Sequence, residues 1–69
     1  MRIDDITLAD QIAEVKREIG MRQKVYQREI AAERLDPSDA EARTVRMVAV
    51  LATLERLRDQ GLEADPDRG

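Results

Sequence analysis

With 69 residues the chain has room for one small domain. It contains no cysteine and no histidine, which excludes disulfides, thiolate or imidazole metal sites, and an imidazole general base. Charged residues make up 39% of the chain with a formal net charge of -3, both signs interspersed, which is the pattern of a solvated helical surface.

Residues 1–7 read as an N-terminal arm. Met1 to Asp10 carries Arg2, Asp4, Asp5 and Asp10 and has no apolar core, so no secretory leader is expected. The longest stretch without a charge, Met47 to Leu54, falls far short of the ~20 residues that a membrane span requires. The expectation is a cytoplasmic protein with no membrane association.

Thr7 is placed to cap a helix, with Asp10 three residues later completing a variant of the capping box. From there Leu8, Ile12, Val15, Ile19, Tyr26 and Ile30 recur at helical spacing and fall within a sector of roughly 60°. This predicts a first helix over Leu8 to Arg34. Arg22 interrupts the apolar stripe and admits two readings. It is a buried or interfacial arginine paired with a carboxylate, or it lays its stem on the apolar surface and keeps its head in water, with Glu18 as an i,i+4 partner. Met21, Val25 and Ala32 lie roughly opposite the stripe. A ridge of small residues, Ala9, Ala13 and Gly20, lies between the two. Glycine costs about 1 kcal/mol in a helix interior relative to alanine, so Gly20 is either tolerated or required by a closely approaching helix.

Leu35-Asp36-Pro37-Ser38-Asp39 is the strongest local signal. Proline drives Asp36 out of the α region, Asp36 can cap, and Pro37 suits the first helical position. A second helix over Pro37 to Gln60 follows, with Gly61 at the left-handed position past its end and Leu62 placed to touch Leu57. A connection this short makes the helices antiparallel neighbours. Residues 8–62 are thus expected to form an all-α, two-helix hairpin, and residues 63–69 a disordered tail.

The second helix is too apolar for a simple hairpin. Ala40, Met47, Leu51 and Leu54 form one face, Val50 and Leu57 widen it on one side and Val48 on the other. Val45, Ala49 and Ala52 continue round the back. One antiparallel partner covers at most half of a helix, so the surplus is either alanines and valines tolerated on an exposed face or, the reading favoured here, a surface that packs in an oligomer or against another protein. The expected oligomer interface is Val45, Met47, Val48, Val50, Leu51, Leu54 and Leu57, closing a dimeric four-helix bundle.

A basic cluster lies in the first helix at Lys16, Arg17, Arg22, Lys24 and Arg28, with Glu18 the one acid among them. In an acidic chain without interleaved aromatic residues this reads as a solvated face, and nucleic acid is not expected as a partner. The face bearing Arg17, Met21, Lys24, Val25 and Arg28 mixes charge with exposed apolar groups and is the expected site for a partner protein. Catalysis finds no foothold: the hydroxyls of Thr7, Tyr26, Ser38, Thr44 and Thr53 have no imidazole to activate them, and the glycines form no phosphate loop. No cofactor and no metal are expected.

The segment Asp10 to Tyr26 (DQIAEVKREIGMRQKVY), with Met47 to Leu57 (MVAVLATLERL) after it, resembles a group of very small, uncharacterised helical proteins encoded by tailed phages and prophages. Their QIA-x-V-x-REI-x-x-R-x-x-VY pattern is matched by Gln11, Ile12, Ala13, Val15, Arg17, Glu18, Ile19, Arg22, Val25 and Tyr26. After Tyr26 the chain departs from the group, with Gln27 and Arg28 where a proline and a tryptophan are usual and Asp36-Pro37 in place of a turn glycine. The resemblance implies phage origin, action in the host cytoplasm and helical form. On that footing the expected function is a regulatory or adaptor protein binding a host or phage protein, such as an inhibitor of host defence of the anti-CRISPR kind or of a host regulator. A virion assembly accessory protein and a weak nucleic-acid-associated protein are the alternatives.

Overall fold

The computed structural model describes residues 2–61. The expected disordered tail, residues 63–69, and the contact of Leu62 with Leu57 lie outside them. Among the described residues the chain is all-helical, with a short 3-10 turn over Ile3–Asp5 and two α-helices, α1 (Leu8–Ala31) and α2 (Pro37–Asp59). The helices pack on each other and are joined by residues 32–36. So short a connection leaves only the antiparallel hairpin open.

Local chemistry sets three of the four helix ends at, or within one residue of, the predicted position, α2 ending at Asp59 and not Gln60. At the start of α1 the Asp10 N–H donates to Thr7 Oγ1 at 3.0 Å, and the Thr7 N–H donates to Asp10 Oδ2 at 3.1 Å. Two amides that the helix leaves without partners are thereby satisfied. At the start of α2, Asp36 Oδ1 accepts from the Ser38 N–H at 2.9 Å and from the Ser38 hydroxyl at 2.8 Å, with Pro37 in the first helical turn. At the end of α2, Gly61 adopts φ 75°, a left-handed conformation that costs glycine little, and its N–H donates to the Arg58 carbonyl at 3.0 Å.

The end of α1 is a correction. The helix stops at Ala31, not Arg34. Glu33 takes φ 59°, its N–H donates to the Ile30 carbonyl at 3.0 Å, and the Arg34 N–H donates to the Glu29 carbonyl at 2.8 Å. This pair of bonds is a Schellman closure built on a non-glycine residue. The hydrophobic contact that usually accompanies the motif is replaced by an ion pair: Arg34 Nε and Nη2 donate to the two carboxylate oxygens of Glu29 at 2.8 and 3.2 Å. Glu33 holds a conformation that disfavours a Cβ, so Glu33→Gly should raise stability by roughly 0.5–1 kcal/mol. Chemical denaturation followed by circular dichroism checks this. An unchanged or lowered midpoint would mean that the left-handed residue carries no penalty here.

The inward faces follow heptad spacing. On α1 the shielded residues are Leu8, Ile12, Val15, Ile19, Tyr26 and Ile30, with Glu18 and Glu29 at the margin. On α2 they are Ala40, Thr44, Met47, Leu51 and Leu54, with Ala42, Glu55 and Leu57 also half-buried. Spacings alternating between four and three place each set along one edge, the arrangement of a short antiparallel coiled coil. Thr44, which the sequence reading left out of the seam, bonds its hydroxyl to the Ala40 carbonyl at 2.9 Å. With that polar atom satisfied inside its own helix, threonine can occupy a seam position.

The shielded core is small. Only Ile12, 3% exposed, and Ala40, 6% exposed, are buried among the described residues. Two helices cover each other along one edge, and among the described residues neither has a further helix to cover its flanks.

Candidate functional site

The surface left by the hairpin divides into two regions, each set by one helix. α1 gathers most of its apolar residues on one side, with Met21 and Val25 the exceptions, whereas α2 spreads them almost all round. Whichever edge of α2 faces α1, aliphatic groups therefore remain outside. Of the seven residues expected to form an oligomer interface, Met47, Leu51, Leu54 and Leu57 are half-buried. Val45, Val48 and Val50 are exposed. Ala49 and Ala52, between these valines on the back of α2, are exposed too.

The second region is the outer face of α1. Arg17, Met21, Lys24, Val25 and Arg28 are all exposed, Met21 by 52% and Val25 by 42%. Helical geometry puts the two apolar side chains beside the three cations on the side away from the stripe. Arg17 Nη2 donates to Glu14 Oε1 at 2.5 Å, and that hydrogen bond, with the charge of Glu14, pushes the guanidinium pKa up. Arg22 pairs with Glu18 at 2.7 Å and is exposed, so it extends the charged surface and does not enter the seam. Of the two readings of Arg22, the head in water with Glu18 as its i,i+4 partner is the one present, and the side chain is not buried.

Gly20 is exposed, and among the described residues nothing outside its own helix backbone and chain neighbours lies within 4 Å of where a Cβ would sit, so none of them requires glycine there. A shallow open depression of about 520 Å³ beside the arm is lined by Ile6, Asp10, Gln11, Ala13 and Glu14. Its two carboxylates are engaged, Asp10 in the α1 cap and Glu14 with Arg17. Among the described residues no group of three or more carboxylates is placed to hold a metal ion, and no helix is long and apolar enough to cross a membrane.

Sequence reasoning missed the Glu29–Arg34 pair because it is not at helical spacing. It forms only once the chain turns back at Glu33, and no turn residue marks that point. The pair matters for pH dependence. The hydrogen bond and charge of Arg34 hold the Glu29 carboxyl below its ordinary value, and the two hydrogen bonds from Ser38 do the same for Asp36. Both groups are more acidic in the folded chain than in the unfolded one. Their stabilisation is therefore complete above the unfolded values of about 4 and is lost as pH falls through the folded values. The thermal midpoint should hold between neutral pH and about 5 and fall below about 4. Ser38→Ala should flatten part of that fall. A midpoint that rises on acidification would contradict these assignments, and melts at stepped pH read it directly.

No family model matches the chain, and neither a curated protein nor a solved structure shows significant similarity to it.

Proposed function

We propose that the chain is a non-enzymatic protein-binding module. It pairs with a second copy of itself to complete a four-helix bundle, and acts as a phage-encoded regulator or adaptor on a host or phage protein. One observation carries this reading. Among the described residues a single hairpin buries only Ile12 and Ala40 and leaves Met21, Val25, Val45, Val48 and Val50 exposed. A chain of this size, without disulfides, needs further burial to be stable, and a second chain supplies it.

The two surfaces suit different tasks. Burial of aliphatic area drives permanent contacts, which favours α2 for self-association. Arginine and methionine together favour exchangeable recognition, and charge steers encounter, which favours the Arg17–Arg28 face for the second protein. The phage setting, and with it inhibition of host defence or of a host regulator, is supported by the Gln11–Tyr26 pattern.

Self-association predicts that the thermal midpoint rises with protein concentration, because mass action favours the folded dimer. Melts over a hundredfold range of concentration test it, and a midpoint independent of concentration would contradict it.

A further inference from the structure

The back of α2 carries the pattern of a surface that meets its own copy. Val45 and Val48, 59% and 47% exposed, share it with exposed Ala49 and Ala52. These four are centred roughly 130° round the helix from the middle of the edge that faces α1, from ~80° at Val48 to ~180° at Ala49, and the hairpin leaves all four exposed. Exposed Glu41 closes the patch at its N-terminal end and exposed Arg56 at its C-terminal end. Among the described residues neither charge forms an ion pair within its own chain.

The order of these residues is self-complementary. Glu41, Val45 and Ala49 form one ridge at i,i+4 spacing, and Val48, Ala52 and Arg56 form the next. A second α2 laid antiparallel about a two-fold axis between positions 48 and 49 sets one ridge against the other. Val45 then faces Ala52 of the second copy, Val48 faces Ala49, and Glu41 faces Arg56. A two-fold axis repeats every contact, so a large residue meets a small one four times and opposite charges meet at both ends. Alanine opposite valine also lets the helices approach to the ~8 Å lower limit of helix packing.

The other exposed valine of α2 has no such arrangement. Val50 has Arg46 and Arg43 on its N-terminal side and Thr53, Leu54 and Leu57 on its C-terminal side. A two-fold copy there would set arginines against no carboxylate.

We infer that the back of α2 is the self-association surface, with Glu41 of one copy paired to Arg56 of the other across an antiparallel α2–α2 contact. This rests on the reading that the chain is a homodimer and specifies its register. Two singly reversed variants test it. Glu41→Arg sets arginine against arginine at both ends of a homodimer, and Arg56→Glu sets glutamate against glutamate. Each alone should self-associate about tenfold more weakly than the native chain at low salt. An equimolar mixture of the two should recover native affinity as a heterodimer, because both end contacts then join opposite charges. A purely local effect on helix stability would not be rescued by mixing.

Sedimentation measures the association, and circular dichroism on each variant confirms that it is folded. If the native chain dimerises but the mixture is no tighter than its components, the register is wrong and the homodimer stands. If the native chain is a monomer, both are wrong.

Discussion

Leu51→Asp, and equally Leu54→Asp, should leave the chain without stable helical structure at micromolar concentration. Both positions lie on the edge of α2 that faces α1 and are half-buried there, in line with Ala40, Thr44 and Met47. Removing a core leucine side chain costs roughly 2–5 kcal/mol, and an unpaired carboxylate in its place adds a desolvation penalty. A single core in a chain of this size rarely supplies more than about 3–5 kcal/mol. The substitution therefore removes as much stability as the hairpin has. Far-UV circular dichroism reads the outcome as loss of the helical minimum at 222 nm. A variant that kept the native helical signal would show that the seam between the helices is not what holds them.

The second large effect concerns binding and leaves the fold alone. Arg17→Glu combined with Lys24→Glu reverses two exposed charges on the outer face of α1. The one intrachain partner affected is Glu14, which pairs with Arg17 at the surface. Exposed pairs contribute little to folding, so the helical signal and the oligomer size should be unchanged. Partner association should fall by roughly tenfold or more, because a steering charge has become a repelling one. On the proposed reading of a phage protein, capture with the tagged native and variant chains from infected cells measures this. Equal recovery of the same protein by both would make this face a solvated surface and move the partner site to α2.

Much of the hairpin is legible in the sequence because its helix ends are specified locally. Thr7 with Asp10, and Asp36 with Pro37 and Ser38, form their bonds within three residues. Such signals survive whatever the rest of the chain does. The inward face of α1 was legible too, since Leu8, Ile12, Val15, Ile19, Tyr26 and Ile30 fall on one side. The end of α1 was not. No glycine or proline stands at Ala32 to Leu35, and the helix is closed instead by a left-handed Glu33 and an arginine folded back onto Glu29.

The division of α2 was legible only in part. Helical period shows which residues share a face, but α2 has apolar residues on several faces. Which face is taken depends on where α1 lies. Met47, Leu51 and Leu54 face the hairpin while Val45, Val48 and Val50 are left outside, although all six look alike in hydropathy. Thr44 was missed because a threonine does not score as apolar. Its position in the 40, 44, 47, 51, 54 spacing was the available signal.

In the proposed homodimer, a hairpin that buries only Ile12 and Ala40 among the described residues is held by a second copy packed on α2. Sedimentation equilibrium at tens of micromolar decides between that dimer and a lone hairpin. The dimer gives a species of twice the 7.9 kDa chain mass, or a higher multiple, that dissociates on dilution together with loss of helix. A single 7.9 kDa species that still unfolds cooperatively on heating would contradict it.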